Sequence, residues 1–541
     1  MKNYILNIGK GMIFAGAISL ASCTGWFDNV PPYEATEDIL EGDNVKVGAF
    51  FPQLQRNVVS THNNQFQLSQ NLVGDIYSGY MAIPTNFNSN KNNATYFFQD
   101  NWLNSPFEKV YTQAIGAYIE IKKSVDGDEN SHIYQWAQIL KIASMHRFTD
   151  MWGPLPYTQV GSGSMTTPYD SQETVYMKFF EELDKAAEVL TKFTVNNPGS
   201  KPMAEYDLVY GGDYSKWVKF ANSLRLRLAM RLAFVKPEVA KEQAEKAISH
   251  SLGVITSNDD NAGVKTVGAN DVVNQLYTMW ANYKDIRMGA SIWSILTGYE
   301  DPRLSKMFTQ GTLNETSGYF ALRTGLNLDS NKDSRLGYSS PNIQSNTPII
   351  WINAAEVAFL KAEGALRGWN MGGATPQSAY EEGIRLSFNE WGASGANEYM
   401  TDEVKTAANY IDPLKSSNNI SAVSNITIGW KENDSKDKKL ERIITQKWIA
   451  TFPNGQEAWT EFRRTGYPKL FPVAVNNSSG TVDTDIQIRR LPFAKSEYTL
   501  NPQNIQEAIQ LLGGQDNGGT RLWWDICLLY TSPSPRDGAT S

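Results

Sequence analysis

Apolar residues recur at helical spacing through much of this 541-residue chain, and that periodicity limits its fold more than any other feature. In 131–147, Ile133, Trp136, Leu140 and Ala143 share one helix face. Asp170 followed by Glu173 resembles a capping box, opening a helix that reaches Leu190 with Val175, Phe179, Leu183 and Ala186 on its apolar side. From 214 to 234 a stripe of Trp217, Phe220, Ala221, Leu224, Leu228 and Leu232 follows Asp213, which is placed to cap it. The charges of that helix, Lys216, Lys219, Arg225, Arg227 and Arg231, read as a solvated face. Residues 353–367 are apolar over most of their circumference and predict a largely buried helix. Tyr380, Ile384 and Phe388 mark another helix, and Leu440, Ile443, Ile444 and Trp448 one more. The last ends at Pro453-Asn454-Gly455, after which a short helix carries Trp459 and Phe462. Short polar links between several of these segments predict helical hairpins in a solenoid-like pack, without a clean 34-residue repeat. The stretches 60–104, 250–350 and 412–436 differ: rich in Asn, Ser, Gly and Thr with scattered aromatics, they predict large irregular insertions.

Composition narrows the function. The formal net charge of −8 argues against nucleic-acid binding by phosphate neutralisation. Cys23 and Cys527 are too far apart in sequence for a CxxC pair, and the four histidines, His62, His132, His146 and His250, form no HExxH. No Asp/Asn/Gly string matches a calcium loop, so neither a metal nor a cofactor is expected.

The two ends carry their own signals. Lys2 and Lys10 give a positive n-region ahead of a short apolar run, Gly11 to Leu20, too short to span a bilayer and suited to a signal peptide over 1–22. Leu20-Ala21-Ser22-Cys23 resembles a bacterial lipobox, which makes Cys23 the acylated first residue of the mature chain and 23–36, with Pro31-Pro32, a lipidated tether. Residues 37–525 then form one domain. From Ile526 to Ser541 the composition changes abruptly and resembles translated vector sequence, so 526–541 is read as a non-native tail.

Several ordered motifs resemble one family, the SusD/RagB outer-membrane lipoproteins. They are Arg147-Phe-Thr-Asp150-Met-Trp152-Gly153-Pro154-Leu-Pro156-Tyr157, then Gly211-Gly-Asp213-Tyr-Ser-Lys-Trp217 running through Asn222 to Arg231, and Asp301-Pro302-Arg303-Leu304. Ala355-Glu356, Ala362-Glu363-Gly364, Gln446-Lys447-Trp448, Glu457-Ala-Trp459 and Arg463-Arg464-Thr465-Gly466-Tyr467-Pro468 complete the series. The resemblance implies a mainly α fold: tetratricopeptide-like helical hairpins packed with a large, irregular, loop-rich ligand-binding half. It implies a non-enzymatic protein held in the outer membrane through Cys23, facing outward, covering a TonB-dependent transporter and delivering captured glycans, sometimes peptides, to it.

Taken as residues, most of these motifs are structural. Arg147 and Asp150 sit at a helix end, where charged hydrogen bonds would fix the following turn. Arg463-Arg464 suggests a fold-fixing salt bridge ahead of anion recognition. Glu356 and Glu363, seven apart, share a helix face; as a pair they would suit glycoside hydrolysis, but their buried-looking helix favours hydrogen bonding.

A sugar offers an apolar ring face and a fringe of hydroxyls, so its site needs flat aromatics beside amides, carboxylates or guanidinium groups. The stretch 77–102 supplies Tyr77, Tyr80, Phe87, Asn88, Tyr96 and Trp102, and its lack of periodicity predicts an exposed loop. Trp280 and Tyr283 form a second candidate set, although a shared helix face would also suit the core; Tyr319 and Arg323 form a third. A lipid-anchored glycoside hydrolase, or a peptide-binding or purely structural lid of the transporter, are the alternatives to glycan capture.

Overall fold

The computed structural model describes residues 45–526, except 165 and 266–271. The leader, the Cys23 lipidation site, the 23–36 tether and Cys527 lie outside the described residues, as does the 526–541 tail apart from Ile526. Described residues from Val47 onward belong to one compact unit.

Consecutive long helices pair along the chain. Helix α1 (His132–Trp152) packs on α2 (Gln172–Asn196), and α3 (Tyr214–Arg231) packs on both α2 and α4 (Pro237–Ser249). Helix α5 (Ala354–Leu366) pairs with α6 (Pro376–Glu390) and also contacts α3 and α7 (Lys436–Thr451), which leads into α8 (Gly455–Thr465). The apolar stripes read from the sequence are the contacts: Trp136, Leu140, Phe179, Leu183, Trp217, Leu224, Ile384 and Trp448 are all essentially inaccessible.

Short polar residues start these helices by accepting otherwise unpaired amides. Asp213 accepts from Ser215 and Lys216, and Asn353 accepts from Glu356. At α2 the cap is Ser171, accepting from Thr174, rather than Asp170. The carboxylate of Asp170 instead receives the amides of Tyr157, at 3.1 Å, and Thr158, at 2.7 Å, folding the preceding segment back on itself.

The charges of α3 correct the solvated-face expectation. Arg225, Arg227 and Arg231 are buried, and only Lys216 and Lys219 reach the surface, where both pair with Asp260. Arg227 grips Glu356 with two bonds of 2.7 Å, and Arg231 meets Asp150 at 3.2 Å, Glu457 at 2.7 Å and Glu461. Arg464 holds Glu363 at 2.6 Å and Glu461 at 2.7 Å, and Lys447 reaches Glu461 at 3.1 Å. Burial alone would favour the protonated acids. For Glu457 it is outweighed by Arg231, Arg227 and Lys447, which draw the group down to about 2; Glu461 is likewise held well below the usual carboxylate range. Such a network fixes which helices meet, because a single missing partner strands a charge in a low-dielectric interior.

The turn after α1 is fixed differently from expectation. Thr149 donates to the Gly153 carbonyl at 2.8 Å, while Arg147 reaches across to Gln70 and Asn454, and Asp150 receives Arg231, Tyr176 and Trp524. Arg463 is held by the carbonyls of Asp150 and Arg489, with its guanidinium 3.5 Å from the centre of the Trp459 ring.

The loop-rich half is not wholly irregular. A helical segment runs from Asn63 to Asp75, and Gly74 lies so close to the start of α8 that an added Cβ would sit 2.5 Å from the Gln456 nitrogen. Strand content is small and antiparallel. β1 (Met81–Ala82) pairs with β3 (Arg287–Met288), and β2 (Ala262–Val264) with β6 (Ile349–Ile352). A hairpin joins β4 (Gly311–Leu313) to β5 (Thr316–Gly318) through Asn314 and Glu315, both at positive φ.

Candidate functional site

The three aromatic-rich stretches singled out in the sequence are brought together by backbone pairing. Strand β1 lies against β3, the Gly289 amide donates to Tyr80, and Arg335 donates to the Pro84 carbonyl at 2.8 Å. Asn90 ties the 84–102 loop to 327–328 by donating to Asn327 at 2.9 Å and to the Leu328 carbonyl at 2.8 Å. Asn88, Ser89 and Asn90 all have positive φ, a conformation asparagine tolerates better than most residues, which gives the asparagine-rich run a structural use.

Burial corrects part of the exposed-loop expectation. Tyr77, Tyr80 and Tyr96 lie in the core. The Tyr77 hydroxyl donates to the Asn93 carbonyl at 3.1 Å, with its ring 5.2 Å from that of Trp459. Tyr80 donates to the Trp448 carbonyl and packs against Trp448 and Phe452. Burial pushes the hydroxyls of all three upward, so they stay neutral. Their segment buries without any periodic pattern because Asn92, Asn93 and Thr95 answer its backbone groups. Asn92 accepts from Ala94 and donates to Phe87, Asn93 donates to Leu72, and Thr95 donates to Asn90.

The remaining candidates are nearer the surface. Phe87 and Trp102 are half-buried and meet edge to face at 5.9 Å, with Asn88 exposed beside Phe87. Tyr283 is 39% exposed. Its hydroxyl accepts from Asn63 at 2.8 Å, and its carbonyl accepts from Lys332 at 2.9 Å. Lys332 also pairs with Asp285 at 2.7 Å, and Asp285 accepts from Thr85 and Gln67. Asn63, Thr85, Asp285 and Lys332 therefore join the rim without any sequence signal: they are isolated polar residues in unpatterned stretches.

Trp280, Tyr319 and Arg323 point to other local arrangements. Trp280 is half-buried, packs edge to face on Tyr277, and donates to the Ile343 carbonyl at 2.8 Å. The Tyr319 carbonyl accepts from Trp293, and Arg323 donates to the Pro472 carbonyl at 3.2 Å beside a narrow gap that Tyr77 and Tyr96 also line.

Elsewhere, a polar cleft of about 500 Å³ lies between α1, α2 and the chain near Tyr118. Its buried Lys141 is paired with Glu182 at 2.9 Å and lies 4.3 Å from the centre of the Tyr157 ring, so the deepest charges already neutralise one another. Glu356 and Glu363 face Arg227 and Arg464 inside the helical core rather than a cleft between them. Among the described residues no group of three or more His, Cys, Asp and Glu side chains is placed to hold a metal, and no helix is long and apolar enough to cross a membrane.

Paired helices carrying a loop-built, aromatic-edged rim define a domain of helical hairpins. The chain belongs to the SusD-like family, described as SusD and RagB outer membrane lipoproteins, which it matches over residues 28–525. Among solved structures it is similar to a chitin-binding SusD homologue from Flavobacterium johnsoniae, at 42% identity with a TM-score of 0.85, covering 89% of this chain and 98% of that one. A SusD homologue from Bacteroides uniformis is 41% identical with a TM-score of 0.82, covering 89% of this chain and 99% of that one. One from Bacteroides thetaiotaomicron is 37% identical with a TM-score of 0.82, covering 88% and 99%. No curated protein sequence matches the chain.

Proposed function

We propose that this protein captures a glycan on the rim formed by 84–102, 283–285 and 327–335. It then delivers the glycan to a TonB-dependent transporter, from a position on the outer membrane facing outward and anchored through acylated Cys23. The observation that carries this reading is the placement of aromatic rings beside polar side chains near the surface. Phe87 and Trp102 form a half-exposed pair, and Tyr283 is exposed among Asn63, Asp285 and Lys332. Rings of this kind suit the apolar face of a pyranose, and amides and charged groups suit its hydroxyls.

Likeness to a chitin-binding homologue makes oligomers of N-acetylglucosamine the first ligands to try. Capture without cleavage is supported by the fate of the paired acids, since Glu356 and Glu363 are committed to Arg227 and Arg464. Calorimetric titration with chitooligosaccharides and a wider polysaccharide panel, each mixture then assayed for released sugars, tests the reading. Saturable binding with no shorter product is expected. Release of sugars would contradict capture alone, and silence across the panel would contradict a glycan ligand.

A further inference from the structure

A second cleft, of about 280 Å³, opens where the end of α6, strand β6 and the link between α7 and α8 meet. Its walls are apolar and aromatic: Ile343, Pro348, Ile350, Trp391, Phe452 and Pro453. The rings of Trp391 and Phe452 lie 5.8 Å apart at 46° to one another. Two acids, Glu390 and Glu356, interrupt this wall. Among the described residues no lysine or arginine lines the cleft, and Glu356 is taken by Arg227.

Among the described residues Glu390 is held by amides alone. Asn353 donates to it at 2.8 Å and Asn261 at 3.1 Å. Neither amide can turn around, because the Asn353 oxygen already accepts from Glu356 at 2.9 Å and the Asn261 oxygen from Ala354 at 2.8 Å, at the first turn of α5. Both –NH₂ groups must therefore face the carboxylate, which is oriented and, among the described residues, receives no counter-charge. Burial pushes Glu390 up to about 7, with Asn353 opposing the rise. An oriented acid without a cation, set among aromatic faces, complements a positive charge carried on an apolar body.

We propose that this cleft is a second ligand site, taking a small organic molecule that carries a primary ammonium group. The ammonium meets Glu390, and the body packs against the wall that Trp391 and Phe452 form together. The volume lies at the lower edge of ligand pockets, which begin near about 300 Å³, so the occupant is a single ring or a short chain rather than an oligomer. The proposal is independent of the glycan rim, because none of the cleft's lining residues belongs to that rim.

The test is calorimetry on the purified protein with benzylammonium, its neutral counterpart benzyl alcohol, and D-glucosamine. Benzylammonium is expected to bind at one site at least tenfold more tightly than benzyl alcohol. Glu390→Gln is expected to weaken it at least tenfold while leaving glycan titration unchanged, and Trp391→Ala to weaken it as a separate check should the first variant fold poorly. Competition of glucosamine with benzylammonium would make an amino sugar the natural source of the charge; binding of benzylammonium alone would make it an alkyl or aryl amine. Equal affinity for benzyl alcohol, full affinity in folded Glu390→Gln, or no binding of either amine would overturn the proposal.

Discussion

Glu457 and Asp412 are both buried carboxylates, and they keep different company. Glu457, in the helical half, is surrounded by Arg231, Arg227 and Lys447. Asp412, in the loop-rich half, is held by the hydroxyls of Tyr338 and Tyr410, the amides of Leu414 and Lys415, and the Asn418 side chain. The first arrangement joins helices far apart in sequence, Arg231 alone reaching residues 81, 226 and 230 positions away. The second ties the 410–420 loop to itself and to Tyr338, 74 positions away. Around Glu457, ion pairs select partners between helices, whereas around Asp412 neutral donors hold a loop backbone.

Breaking an ion pair should separate the halves most sharply. Arg231→Met removes the cation shared by Asp150, Glu457 and Glu461 and is expected to cost about 3–5 kcal/mol in chemical denaturation. A loss below about 1 kcal/mol would mean that the network is not needed for the helical pack.

The pH response should show the same contrast. Asp75 is buried, accepts from Gln70, Asn71 and Gly455, and is raised to about 7 by burial, although those donors and Arg147 oppose the rise. Its folded form holds a proton that the unfolded chain releases from about pH 4 upward, so its contribution is complete in acid and is lost as pH rises towards 7. Glu457 and Glu461 have the opposite sign: their contribution is present above about pH 4.5 and is lost as pH falls towards 2. Denaturation midpoints of Asp75→Asn are expected to fall less between pH 5 and pH 8 than those of the parent; parallel curves would contradict an acid held chiefly by amides.

Smaller effects sharpen the account of the rim. Tyr77→Phe removes one buried hydrogen bond and is expected to cost about 1 kcal/mol of stability, read from the thermal midpoint. Lys332→Ala removes a partly exposed pair with Asp285 and is expected to cost less than about 1 kcal/mol, since water screens it.

Much of the helical half was legible because burial there follows a period: the stripes through Trp136, Phe179, Trp217 and Trp448 are core positions. The sign of the charged positions was not. Arg227 and Arg231, one turn apart, look the same in sequence whether they face water or Glu356 and Glu461, because those partners enter from helices more than a hundred residues away. The Asp170 expectation failed for a local reason: Ser171, one residue on, is the better-placed cap, and Asp170 is drawn to Tyr157 and Thr158. In the 77–102 stretch, absence of period suggested exposure. Asn92, Asn93 and Thr95 instead satisfy the buried backbone, so Tyr77, Tyr80 and Tyr96 enter the core while Phe87, Asn88 and Trp102 stay near the surface. The convergence of this loop with Tyr283 and Lys332 depends on β1 meeting β3 across about two hundred residues, which no local pattern records.

The most direct test of the rim is a paired titration with whichever glycan binds the parent protein, comparing Tyr283→Ala with Tyr77→Phe. Removing an exposed stacking ring costs about 1 kcal/mol, or roughly fivefold in affinity. Tyr283→Ala is therefore expected to weaken binding by about that factor with little change in stability, and Tyr77→Phe to bind as the parent does. Loss of binding in Tyr77→Phe with full binding in Tyr283→Ala would contradict the account and place the ligand against the buried tyrosines instead.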